Sequence, residues 1–102
     1  MGRVLVVEDD EQIARLMVRA LQADVGGRYI DLSLRESMLL RHLMHWAGRA
    51  CTRAELLADV WAMSFDPGSN VVDVCIRRLR TKLEGSVRLE TIRNVGYRLV
   101  VD

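Results

Sequence analysis

Read at 100° per residue, the stretch SNVVDVCIRRLRTKLE (residues 69–84) separates into two faces. Val72, Cys75, Ile76, Leu79 and Leu83 share one stripe, the i, i+3, i+4, i+7 spacing of a helix laid against a core. The opposite face carries Asn70, Asp73, Val74, Arg77, Arg78 and Thr81, with Arg80 and Lys82 on its flanks. Ser69, just after the turn-forming Asp66-Pro67-Gly68, is the expected N-cap. Upstream, Ser33-Leu34-Arg35-Glu36 and Thr52-Arg53-Ala54-Glu55 both have the capping-box form, a hydroxyl at N-cap and a glutamate at N3. The first opens a helix with Leu39, Leu40, Leu43, Trp46 and Ala47 on one side, ending near Gly48; the second opens a short helix with Leu56, Leu57, Val60 and Trp61 inward. Met38, Met44 and both tryptophans read as core or core-edge packing.

The ends of the chain read differently. Residues 88–92 and 97–101 are strand-like runs around Asn94-Val95-Gly96, which predicts a β-hairpin with Arg93 beside its tip. Near the N-terminus, residues 3–7 form a β-branched apolar run typical of a buried strand. Four acids follow, then Ile13, Leu16, Met17, Ala20 and Leu21 at helical spacing, so a strand–acidic turn–helix unit is expected. Gly26-Gly27-Arg28 predicts a tight turn and Tyr29-Ile30-Asp31-Leu32 a short strand. The division expected is residues 1–24 as a βα segment and 25–102 as the main domain. A strand, three helices and a hairpin make that domain α+β, with the element order of a winged helix-turn-helix.

Charge sharpens this picture. The net charge of +1 conceals a gradient. Residues 1–24 hold three basic and five acidic side chains, 25–69 hold five of each, and 70–102 hold seven basic and four acidic. The positive end contains the arginine helix, as an electrostatic footprint for nucleic acid requires. Guanidinium forks suit phosphate oxygens and the O6/N7 edge of guanine; on the helix alone, a solvated basic face remains the alternative. The two cysteines, Cys51 and Cys75, sit in apolar helical contexts, and no secretory signal or membrane-length apolar run occurs. Reduced thiols and a cytoplasmic location are expected. His42 and His45 stand at i, i+3, but no cysteine or third histidine has a spacing that completes a structural zinc set, so no metal site and no cofactor are expected. No nucleophile–base arrangement or phosphate-cradling glycine loop points to an enzyme.

Two resemblances add to the residue-level reading. VLVVEDDEQIARLM resembles the opening of a bacterial response-regulator receiver domain, in which Asp9 and Asp10 match acids that help bind Mg²⁺. The remainder of a receiver is absent, so Asp9 and Asp10 are expected only as a relic of that site, and an internal deletion, natural or engineered, accounts for the juncture. Residues 26–102 resemble the OmpR/PhoB-type effector domain of response regulators. The carrying motifs are LSLRE (32–36), RAELL (53–57), Val60-Trp61, VVDVCIRRLRTKL (71–83) and IRNVGYRL (92–99).

That resemblance implies a sequence-specific double-stranded DNA-binding transcriptional regulator without phosphorylation control. It places Val74 and Arg78 at base edges, with helix 69–84 in the major groove. Asn70, Arg77, Arg80 and Thr81, with Thr91 and Arg93 of the wing (88–101), fall at phosphates or the minor groove. It assigns the loop Ala62, Met63, Ser64, Phe65 and Asp66 to RNA polymerase, and implies tandem direct repeats as the DNA target. Cys75, Asn70 and Asn94 depart from the usual pattern; asparagine at the hairpin tip is tolerable because it accepts left-handed backbone. Asp73 is placed to brace Arg77 as an i, i+4 pair. The apolar residues 4–7, or the helix through Leu21, would replace a missing sheet strand or pair with a second copy, so self-association is a further expectation. A module that pairs with an intact regulator or polymerase, with little DNA binding of its own, is the alternative function.

Overall fold

Both capping boxes form, and they set where the helices begin. In the computed structural model, which describes residues 4–6, 16–19, 21–83 and 86–100, the Ser33 hydroxyl accepts from the Glu36 N–H while Glu36 Oε1 accepts from the Ser33 N–H. The same reciprocal pair joins Thr52 and Glu55. Helices α1 (Leu34–His45) and α2 (Arg53–Asp59) follow from them, and α3 spans Val71–Leu83. The cap of α3 lies one residue later than expected. The Asn70 carbonyl takes the first helical bond, from the Val74 N–H at 3.0 Å, while the Ser69 carbonyl accepts from the Arg53 guanidinium.

Among the described residues seven strands accompany the helices: β1 (Val4–Val6), β2 (Leu16–Arg19), β3 (Gln22–Val25), β4 (Arg28–Asp31), β5 (Cys51–Thr52), β6 (Leu89–Ile92) and β7 (Gly96–Leu99). They make two antiparallel sheets, β1-β2-β3-β4 and β5-β7-β6. The expected hairpin is therefore the outer part of a three-stranded wing sheet, in which Cys51 pairs with Tyr97 and Thr52 with Gly96. Gly96 is required there, since a Cβ would stand 1.9 Å from the Cys51 carbonyl oxygen.

The expected helix through Leu21 is corrected. Residues 11–15 lie outside the described residues, and Leu16–Arg19 is a strand. The alternation of β-sheet geometry explains the change: Val18 and Ala23 face each other across β2 and β3, and both are fully buried in the helical core. The β3–β4 hairpin crosses the juncture drawn at residues 24 and 25; its turn residues Gly26 and Gly27 have φ of +60° and +88°, the backbone twist that suits tight hairpins. Strand β1 pairs with β2 inside the chain; residue 7, the end of the stretch expected to replace a missing sheet strand or to pair with a second copy, lies outside the described residues. Asp9 and Asp10 lie outside the described residues.

One core serves all three helices and both sheets. Leu39, Leu40, Leu43, Leu56, Leu57, Ile76, Leu79, Leu83 and Leu99 have essentially no exposed surface. Trp46, expected at the core edge, is on the surface instead, with the Arg49 guanidinium carbon 4.2 Å above its ring centre. Trp61 and Met38 are half-buried against the core and Met44 is buried, as read. Both cysteines are buried free thiols. Among the described residues no helix is long and apolar enough to cross a membrane.

Candidate nucleic-acid interface

The buried stripe of α3 consists of the five residues its periodicity named: Val72, Cys75, Ile76, Leu79 and Leu83. With that face fixed, geometry forces Asp73, Arg77, Arg78, Arg80 and Thr81 outward; all are exposed, and Val74 is half-exposed between them. The helix is held to α1 by an ion pair at 2.6 Å between Lys82 Nζ and Glu36 Oε1. Glu36 is buried, and burial alone would raise the pKa of its carboxyl. The Lys82 ammonium and the Ser33 N–H more than offset that, and hold it below its ordinary value.

Partner accounting separates the cations. Among the described side chains, Arg35 donates to the Val60 carbonyl, Arg49 pairs with Glu55, Arg53 with Asp66, Lys82 with Glu36, and Arg88 and Arg98 with Glu90. Arg28 donates to Ser86, Arg80 donates into the wing, and Arg41 is also engaged. Arg77, Arg78 and Arg93 alone among these side chains have no hydrogen-bond or ion-pair partner. The expected Asp73–Arg77 brace is not formed.

Two residues grouped with the phosphate contacts have internal duties. Arg80 donates from Nε and Nη2 to the Leu89 carbonyl, at 2.9 and 2.7 Å, and from Nη2 to Thr91 Oγ1 at 2.8 Å. Its guanidinium therefore clamps β6 to α3, leaving Nη1 directed away from these partners. The Thr81 hydroxyl donates to the Arg77 carbonyl at 3.1 Å, which uses its one proton. Thr91 is exposed on β6 and accepts from Arg80, so its own hydroxyl proton is uncommitted. Arg93 stands exposed beside Asn94, whose φ of +62° is the left-handed conformation expected at the tip. Asn70 is exposed at the N-terminus of α3.

The loop before α3 is pinned rather than loose. Arg53 donates to both carboxylate oxygens of Asp66, at 3.1 and 3.2 Å, and the Gly68 N–H donates to Asp66 Oδ1 at 2.8 Å. These bonds, the guanidinium first, hold the Asp66 carboxyl below its ordinary range. Ala62 has φ of +55°, Met63 is half-buried, Ser64 is exposed, and Phe65 is 71% exposed. The Arg53 backbone N–H also donates to the Val95 carbonyl at 3.2 Å, so one residue links α2, the loop and the wing tip.

A family model described as "Transcriptional regulatory protein, C terminal" matches residues 27–99. The chain belongs to this OmpR/PhoB-type family. CusR of Escherichia coli (strain K12), a transcriptional regulatory protein, is 33% identical over 105 residues, covering 98% of this chain and 46% of CusR. The sensory transduction protein RegX3 of Mycobacterium tuberculosis (strain H37Rv) is 37% identical over 89 residues, covering 83% of this chain and 39% of its own. The chain thus spans less than half the length of these curated relatives. In structure it is similar to the RstA DNA-binding domain of Klebsiella pneumoniae, solved in complex with the RstA box. That match has a TM-score of 0.76 and 28% identity, over 96% of this chain and 97% of the other. The DNA-binding domain of CpxR from E. coli matches with a TM-score of 0.77 and 25% identity, over 97% of both chains. The three helices and the β5-β7-β6 sheet are therefore the helices and wing of the winged-helix fold of these DNA-binding domains.

What sequence reasoning missed lies in the pairing of distant residues. Nothing in the local pattern marks Arg80 as a clamp on a strand nine residues later. His42, to which the sequence assigned no partner, has a side chain only 12% exposed and lies 2.7 Å from Glu55 Oε2. Strand β5 is two residues long, too short to carry an alternation signal.

Proposed function

We propose that this domain binds double-stranded DNA sequence-specifically as the effector module of a two-component transcriptional regulator. The observation that carries it is the set of three guanidinium groups, Arg77, Arg78 and Arg93, that have no partner among the described residues and lie exposed on α3 and the wing. Leaving three cations without protein partners, while nine others in the described residues are engaged, suits an external polyanion. In this reading α3 enters the major groove, where Arg78 meets a base edge through its fork and half-exposed Val74 offers apolar contact to a thymine methyl. Arg77 and Asn70 take phosphates. Arg80 braces the wing with Nε and Nη2 and offers Nη1 to the backbone, while Thr91 and Arg93 meet backbone and minor groove. The similar RstA domain was solved in complex with its box, which supports double-stranded DNA as the partner.

Further parts of this reading are partners of the whole regulator. Exposed Phe65, on the loop held by the Arg53–Asp66 fork, suits RNA polymerase contact through residues 62–66. Tandem direct repeats as target, association between copies on DNA and a cytoplasmic site of action belong to the same proposal. A module that acts through protein contact alone leaves Arg77, Arg78 and Arg93 without a role.

The deciding experiment is selection from a random duplex pool at near-physiological salt, followed by titration of the winning site against scrambled DNA. A recovered motif bound at least about a thousandfold tighter establishes a specific reader. Arg78→Ala then costs about 1–3 kcal/mol and relaxes one base position. Arg77→Ala weakens all sequences and flattens the salt dependence by about one unit. Weak, salt-sensitive binding with no enriched motif refutes the proposal.

A further inference from the structure

Away from the arginine face, the C-terminal half of α1, strand β5 and the first turn of α2 bring together three donors of different chemistry. The ring of His42, the thiol of Cys51 and the carboxylate of Glu55 each place a ligand atom within 4.8 Å of the other two. His42 and Glu55 are half-buried and Cys51 is fully buried. Thirteen residues of chain separate His42 from Glu55, and their pairing depends on how β5 docks α2 beside α1.

We propose that His42 Nε2, Cys51 Sγ and Glu55 Oε2 form a binding site for a borderline divalent transition metal of the zinc type. A thiolate with an imidazole selects such ions over Mg²⁺ or Ca²⁺, which demand oxygen. Three protein donors leave a fourth tetrahedral position for water. With bonds of about 2.0–2.3 Å, ligand atoms in a tetrahedron stand about 3.3–3.8 Å apart. The 2.7 Å His42–Glu55 contact must open slightly and the longer separations must close by about 1 Å, movements within side-chain rotation. Asp59 Oδ2 lies 3.9 Å from His42 Nδ1, on the far side of the ring from Glu55, where an acid helps present Nε2 to a metal.

Arg49 occupies the cation's place in this arrangement. Its Nη2 donates to Glu55 Oε2 and lies 4.0 Å from Cys51 Sγ. That side chain is 48% exposed and rests on exposed Trp46, so it can swing into solvent when a metal enters. Binding releases the Cys51 thiol proton to solvent, so affinity rises with pH. The site is independent of the DNA reading.

Cobalt(II) titration of the whole chain tests it, since a thiolate ligand gives Co²⁺ an intense charge-transfer absorption. One Co²⁺ per chain with that band, displaced by Zn²⁺, is expected. The band should be lost in Cys51→Ala and His42→Gln and kept in Cys75→Ala, which removes the other buried thiol. Arg49→Ala, which removes the competing cation, should bind Co²⁺ more tightly than the parent chain. Far-ultraviolet circular dichroism checks that each variant is folded. If Cys51→Ala does not fold, the partly accessible His42→Gln decides. No thiolate band in the parent chain, an unchanged band in folded His42→Gln, or looser binding in Arg49→Ala overturns the proposal.

Discussion

Replacing Lys82 with methionine isolates the contact that seats the recognition helix on α1. The stem is retained while the ammonium that lies 2.6 Å from Glu36 Oε1 is removed. Glu36 is 3% exposed and then keeps only the Ser33 N–H, at 2.9 Å, as a strong donor to that oxygen. Breaking a fully buried pair by deleting one partner costs about 3–5 kcal/mol. The Lys82 side chain is 38% exposed, so water reaches the vacated side and the expected cost falls to about 1–2 kcal/mol. For a domain of this size that lowers Tm by roughly 4–15 °C. The pH dependence supplies the sign. In the parent protein the folded-state pKa of Glu36 is depressed, so its stabilisation is present above the ordinary value of 4.5 and is lost as pH falls through the folded value. In Lys82→Met, burial is no longer offset by the ammonium, and the depression shrinks or reverses. Urea unfolding should therefore show the full gap between the two proteins near neutral pH. The gap should narrow below pH 4.5, where Glu36 takes up its proton. A gap under about 0.3 kcal/mol at neutral pH, or one that does not narrow with acid while both proteins remain folded, refutes the reasoning.

Three other perturbations probe the wing and the caps. Gly96→Ala drives a Cβ into the Cys51 carbonyl, with backbone on both sides unable to yield, and should cost about 3 kcal/mol or more in thermal unfolding. Thr52→Ala removes the acceptor for the Glu55 N–H and should cost about 1 kcal/mol in urea titration; an unchanged midpoint would show that α2 does not depend on its cap. Asn94→Val places a β-branched residue at φ +62° and should cost about 1–2 kcal/mol by the same assay, whereas Asn94→Gly should stay within about 0.5 kcal/mol of the parent.

What was legible in the sequence follows the range of the forces involved. A capping box acts within four residues, so Ser33–Glu36 and Thr52–Glu55 announced α1 and α2. The stripe from Val72 to Leu83 needs only the helical period, and it predicted the buried and exposed faces of α3 together. Residues 13–21 mislead for the converse reason. Leu16, Met17 and Leu21 fit a helical spacing, but Leu16–Arg19 takes its conformation from β1 and β3 on either side. The one local clue was Gly26-Gly27, which marks a tight turn able to return β4 along a preceding strand. The histidine–cysteine–glutamate cluster could not be found by spacing, because α1 and α2 bring its members together through core packing.

The arginines of the domain do two kinds of work, and the second depends on the first. Arg53 fixes the loop through Asp66, accepts no freedom at its backbone N–H because of Val95, and holds the Ser69 carbonyl just ahead of α3. Arg80 ties the last turn of that helix to Leu89 and Thr91 on β6. Between them these paired guanidinium groups set the position of α3 relative to the wing, one from its N-terminal end and one from its outer flank. A rigid offset between a helix and a hairpin is what simultaneous engagement of two adjacent grooves demands. Arg77, Arg78 and Arg93, which have no partner among the described residues, are still not misplaced, because their backbones are positioned by neighbours whose own charges are already engaged. The cost of leaving three exposed cations without a described partner is modest, because water solvates them and salt screens them. In the proposed DNA complex it is recovered as counterions condensed on the phosphate backbone are released into solution.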